Sequence, residues 1–203
     1  MQSETISRRD KAYDYFILTA RFLLGAVFIS YGYSKLVEGQ FGITEEEMLL
    51  PLNELSHFKV SWYLFDQQPF KYFVGISQII CGILLLINRT LLLGAFMFLP
   101  IVTTILIMDM TFMPPALAEG FTWRLTSYIL LDFLIIWHYR ERMIQVWHLI
   151  WEGISTKYRH RWYKYILLPV LAFILEFALA IPKILFKLLT DWSATIESFG
   201  RLF

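Results

Sequence analysis

Arg21, Lys35, Asp132 and Glu176 carry full charges inside stretches that are otherwise apolar, and any chemistry in this chain would start from such groups. An unpaired charge at the centre of a bilayer costs at least about 2.5–3.5 kcal/mol, so each must be paired, protonated or open to a polar cavity. Arg21, Gly25, Gly32 and Lys35 follow one another at spacings of four, seven and three. At about 100° per residue these positions share one side of a helix, where the glycines admit a second backbone and the charges meet what it offers. Gly75, Gln78 and Gly82 repeat the pattern at spacings of three and four, and Arg124, Tyr128 and Asp132 form a ladder of i,i+4 steps.

Groups of these types could hydrogen-bond a carbonyl, orient a base or relay a proton. The expected polar network is Arg21, Lys35, Gln78, Tyr128, Asp132 and Glu176, with Asp132 inside a helical bundle and interacting with Arg21 or Lys35. Each also has a structural alternative. Arg21 and Lys35 can snorkel to headgroups at opposite rims, Gln78 can bridge helices, and Glu176 can contact a partner protein. Tyr31 and Tyr33 point in nearly opposite directions, so at most one belongs to a shared site. Gly25, Gly32, Gly75, Gly82 and Gly94 are expected packing positions.

Several chemistries are excluded. The four histidines lie in a loop or near a basic end, and no HExxH, Walker or GxGxxG pattern is present, so neither a metal centre nor nucleotide chemistry is expected. Cys81 is the single cysteine, which rules out an intramolecular disulfide and a CxxC pair. With a net charge of +1 the chain lacks the concentrated positive charge that nucleic acid requires. The 203 residues are 57% hydrophobic and 18% aromatic, more apolar surface than one soluble core hides, which makes a membrane protein the expectation.

The elements that position these groups follow from the apolar runs, and the fold class expected is an all-α polytopic membrane bundle with four core transmembrane helices and a fifth. The first span, from Tyr15 to Leu36, has about 22 residues, enough for a hydrocarbon layer of about 30 Å. It follows a segment 1–14 whose basic residues precede no small-residue cleavage site, so the span is expected to be kept rather than removed as a signal peptide. It ends at "VEGQFG". The loop 38–70 holds a capping box, Thr44 with Glu47, which starts a short helix that Pro51 ends. A second span from Lys71 to Ile87 reverses at Asn88–Thr90 into a third carrying Pro100, whose end is set at Asp109 before a loop "TFMPPALAEGF". A fourth begins near Trp123 and closes a domain 15–139. The segment 140–203 reads as a basic interfacial helix, a fifth span bent at Pro169 and Pro182, and an amphipathic tail from Asp191.

Basic residues set the orientation. Arg8, Arg9, Lys11, Arg89 and six basic residues between Arg140 and Lys164 gather at one face, while the other has Lys59, Lys71 and Arg124 amid Glu45, Glu46, Glu47, Glu54, Asp66 and Glu119. The positive-inside rule then places the N-terminus in the cytoplasm and, after five crossings, the C-terminus outside.

Two stretches carry a resemblance. "RFLLGAVFISYGYSKL" is similar to the first-helix signature of the DoxX-like membrane proteins, and "GISQIICGILLLINRTLLLGA" resembles that family's second helix, hairpin and third-helix start. The likeness spans about Ala20 to Tyr139. It implies a four-helix integral protein of the bacterial inner (cytoplasmic) membrane, with relatives described as quinone-linked oxidoreductase subunits or partners in membrane redox complexes. It also implies first-helix roles for Arg21, Gly25, Gly32 and Lys35. The family often has a glutamate where this chain has Gln78.

Three functions are therefore open: a noncatalytic subunit or assembly partner of a membrane complex, a quinone-binding subunit of an oxidoreductase, and a small-solute transporter. The chain has no redox group of its own, so a quinone or other lipid-soluble molecule, or a partner protein in the membrane or periplasm, would supply any electron chemistry. Membrane lipids are the remaining expected partner.

Overall fold

The computed structural model describes residues 7–37, 40–151 and 158–190, and every regular element among them is an α-helix. Helix α1 spans Arg8–Leu36, its N-terminus capped by the Ser7 hydroxyl, which accepts from the Arg9 N–H. This cap starts the helix seven residues before the apolar run, so the charged turn around Asp10 and Lys11 is helical too. Helices α2 (Glu45–Met48) and α3 (His57–Phe65) occupy the loop after it. The Thr44–Glu47 capping box forms as expected, and Ser56 caps α3 by accepting from the Lys59 N–H. Glu38, Gly39 and the tail from Asp191 lie outside the described residues.

Helices α4 (Phe70–Leu86) and α5 (Leu91–Phe112) form the expected antiparallel hairpin through Asn88–Thr90. Helix α6 runs Pro115–His138, α7 Arg140–Trp151 and α8 Trp162–Thr190. Two boundaries differ from the sequence reading. Asp109 sits inside α5 rather than at its end, and most of "TFMPPALAEGF" is helical, leaving only Met113 and Pro114 between α5 and α6. Pro115 explains the early start of α6, since the first helical position needs no N–H and favours the fixed φ of proline. Pro100 offers no N–H to the preceding turn, but the Thr104 hydroxyl donates to the carbonyl of Pro100 itself, at 2.8 Å, rather than to the one left free.

Glycines set the α1–α4 packing. A Cβ on Gly32 would lie 2.5 Å from the Gly75 carbonyl, and one on Gly82 would lie 2.6 Å from the Gly25 carbonyl. The two pairs, seven residues apart on each helix, hold α1 and α4 antiparallel at backbone contact. Gly94 brings α5 equally close to the Leu84–Leu85 backbone. Between the helices the rings of Phe28 and Phe98, both fully buried, meet at 4.2 Å, with Leu24, Leu85, Val102 and Ile135 around them.

The outward faces are apolar instead: Phe22, Phe73, Leu93, Ile107 and Phe133 are all more than half exposed, which suits lipid rather than water. Three helical stretches are long and apolar enough to cross a membrane, namely α1, α5 and Trp162–Lys183 of α8. A fourth is reached if α3 and α4, which meet at 80°, count as one broken span. These account for three, or up to four, of the five crossings expected. Alone, α4 has only 17 residues, and Arg124, Asp132 and His138 dilute the apolarity of α6. The chain divides into two compact units, Met1–Glu152 and Gly153–Phe203. In the second, α8 runs through both Pro169 and Pro182.

Candidate functional site

The first unit contains a cavity of about 290 Å³ among α1, α3, α4, α5 and α6. Its walls are mainly aromatic and aliphatic. Phe41, Trp62 and Phe65 come from the segment between α1 and α4, Phe73 from α4, Ile101 and Met108 from α5. Trp62 is held by tilted ring contacts with Phe58 and Phe65 and an edge contact with Phe41, at centroid distances of 4.2–6.0 Å. A backbone bond from the Gly42 N–H to the Trp62 carbonyl ties the post-α1 turn to α3, and Gly42 has a φ of 106°, which suits glycine alone.

The polar end of the cavity is formed by Lys35, Asp109 and Gln40. Both charged residues are buried, at 4% and 6% exposure, and lie close enough to act on each other electrostatically. Lys35 Nζ donates to Gln40 Oε1 at 2.9 Å and sits 5.5 Å and 5.4 Å from the ring centres of Tyr31 and Phe41. An ammonium inside two aromatic faces, with one amide oxygen and a carboxylate nearby, retains donors for a further acceptor. Tyr31 lines this cavity, whereas Tyr33 is 61% exposed, so only the former joins the site.

Beside the cavity, Arg124 Nε donates to Tyr128 Oη at 2.9 Å, and a second guanidinium N–H reaches Tyr31 Oη. The first two rungs of the α6 ladder are therefore bonded to each other, and Arg124 carries the connection to α1. The third takes no part: Asp132 is fully buried, and neither carboxylate oxygen has a hydrogen-bond partner among the described residues. Gln78 is in the same condition at both amide atoms. The expected pairing of Asp132 with Arg21 or Lys35 is absent. Arg21 meets α6 at Tyr139 and Tyr31 meets it at Arg124, so Asp132, about 10 Å along the helix from Tyr139, falls between the two levels.

Arg21 instead closes the opposite end of the bundle. Its guanidinium donates to the Leu85 carbonyl at 3.3 Å and to Asn88 Oδ1 at 2.8 Å, capping the end of α4, with a longer bond to Tyr139 Oη. Glu176 lies on α8 in the second unit and is exposed. Cys81 is buried, with its thiol 3.5 Å from the Gly94 carbonyl. Among the described residues no group of His, Cys, Asp and Glu could hold a metal.

Asp109 and Gln40 are the functional candidates that sequence reasoning missed. The apolar run continues past Asp109 as "MTFM", which marks a buried helical position. Lys71, expected only as a basic residue of the acidic face, is 5% exposed and paired with Asp66 at 2.7 Å across the α3–α4 bend.

The DoxX family model matches residues 16–113, which ends before α6 and is shorter than the Ala20–Tyr139 stretch of the sequence resemblance. The chain is similar to an uncharacterized protein, YwoB, of Bacillus subtilis (strain 168), at 35% identity over 95 residues. That alignment covers 46% of this chain and 60% of the relative. No solved structure matches. Residues 16–113, which run from within α1 to the end of α5 and line most of the cavity, are thus similar to the DoxX family of membrane proteins.

Proposed function

We propose that this DoxX-like protein is a noncatalytic, ligand-binding subunit of a membrane complex, and that its cavity takes the ring of a lipid-soluble molecule of the quinone class. The observation that supports this reading is the pairing of an aromatic cavity with a buried Lys35–Asp109 pole. The volume of about 290 Å³ is at the low end for ligand sites, which suits a ring headgroup. Lys35 would donate to a carbonyl or hydroxyl of that ring, Asp109 would hold the ammonium in place, and Phe41 and Trp62 would flank the ring faces. A bound quinone would supply the electron chemistry, which no side chain here provides.

Under this reading α4 and α6 cross beside α1 and α5 in the bundle, α8 makes a fifth crossing, and the cavity opens near the face opposite Arg89 and Arg142. The test is a titration of the detergent-solubilised protein with a short-tailed quinone, followed by quenching of tryptophan fluorescence. Saturable quenching that is largely lost in Trp62→Phe is expected, because Trp62 lines the cavity. Quenching that rises linearly, or that is unchanged in Trp62→Phe, would count against the cavity as the site.

A further inference from the structure

We propose that the Arg21 end of α1 is a seat for one anionic phospholipid, separate from the Lys35 cavity and about 21 Å from it along the helix. Arg21 is 4% exposed, yet its hydrogen-bond partners among the described residues are two backbone carbonyls, the Asn88 amide oxygen and a tyrosine hydroxyl, all dipoles. No carboxylate pairs with it among the described residues. The nearby Asp14 is directed elsewhere, with its carboxylate 3.2 Å from His138 Nε2. A buried guanidinium surrounded only by dipoles lacks a counter-anion.

Two recesses meet at this residue. One, of about 340 Å³, is polar and includes Asp14, Asn88, Tyr139 and Arg142. The other, of about 430 Å³, is apolar, with Leu18, Phe22 and Leu86 in its wall. Both share Leu18 and Arg21, so a polar chamber with two arginines opens directly onto an apolar groove. Asp14, Leu18 and Phe22 succeed one another at i,i+4 along α1, which aligns the groove with the helix and hence with an acyl chain. A free phosphate would fill only the first recess. A phospholipid fills both: its phosphate between Arg21 and Arg142, its chain along Leu18 and Phe22. The charge of the surrounding face, with Arg8, Arg9, Lys11 and Arg89, favours an anionic headgroup over a zwitterionic one.

The experiment is native mass spectrometry of the full-length protein released from nanodiscs containing phosphatidylglycerol, phosphatidylcholine or both. Because Arg21 also secures the α4–α5 turn, the variants are Arg142→Gln and Leu18→Trp, which leave that clamp in place. One phosphatidylglycerol is expected to remain bound, with an affinity at least about tenfold above phosphatidylcholine, and each variant should lower it about fivefold or more. Equal retention of the two lipids, retention unchanged in both variants, or displacement by millimolar inorganic phosphate as effective as the lipid itself would overturn the proposal.

Discussion

Asp132 is the residue whose treatment by the fold differs most from what its type suggests. It is fully buried on α6, and its oxygens have no partner among the described residues. A buried acceptor without a donor costs about 1–3 kcal/mol, so nothing is lost by replacing the carboxyl with a neutral group of the same shape. Asp132→Asn is expected to leave the apparent melting temperature in detergent unchanged or raised. A loss of more than about 1 kcal/mol would show that the carboxylate makes a stabilising contact. That Asp132 lies inside the bundle was legible from its spacing with Tyr128 and Arg124. Its missing partner was not, because helix depth is set by how α1 and α6 slide past each other, and sequence spacing within one helix is silent on that. The same limit hid the shared cavity of Lys35 and Asp109, which lie 74 positions apart in the chain.

At the level of elements, the α1–α4 contact rests on glycine. A methyl on Gly82 would sit 2.6 Å from the Gly25 carbonyl, so Gly82→Ala must push two backbones apart, whereas Gly120 on α6 has nothing within 4 Å of an added Cβ. Gly82→Ala is expected to destabilise by about 1–3 kcal/mol, and Gly120→Ala to be neutral or to stabilise by up to about 1 kcal/mol through helix propensity. Thermal unfolding of both variants side by side checks the contrast, and equal effects would contradict the packing. The glycine spacing was readable beforehand, as was the α2 capping box. In that box the Thr44 N–H and Lys59 hold the partly exposed Glu47 carboxyl below the usual carboxylate range. A carboxyl shifted down stabilises above its unfolded pKa and loses that contribution as pH falls through its folded value. Amide protection factors at α2, corrected for the intrinsic exchange rate at each pH, should therefore fall on acidification below the ordinary glutamate range, and Glu47→Gln should remove most of that pH dependence. The extent of α6 was less legible. Pro114 and Pro115 read as a loop, although a proline at the first helical position starts a helix as readily as it ends one.

For the whole molecule, the apolar belt and the DoxX match over residues 16–113 establish a membrane protein, while orientation and the complete set of crossings are inferences from charge. They predict that Glu46→Cys on intact cells reacts with a membrane-impermeant maleimide and that Arg142→Cys reacts only after permeabilisation. The reverse pattern would invert the topology, and the cavity would then open to the cytoplasm. The native Cys81 is buried and should not interfere. The bundle itself could be read from apolar runs, but the cavity could not. Its walls combine the four helices α1, α4, α5 and α6 with the Gln40–Phe65 segment, and their meeting depends on the 80° bend between α3 and α4. The central claim is that this cavity holds a lipid-soluble ligand through Lys35 and Asp109. The most direct measurement is quantitative mass spectrometry of small molecules that co-purify with the full-length protein in mild detergent, comparing the native chain with Lys35→Met and Asp109→Asn. The account predicts a near-stoichiometric quinone or related lipid in the native protein and its loss, by about tenfold or more, in both variants. Retention at the same level in both folded variants, or no specific molecule in the native protein, would contradict it.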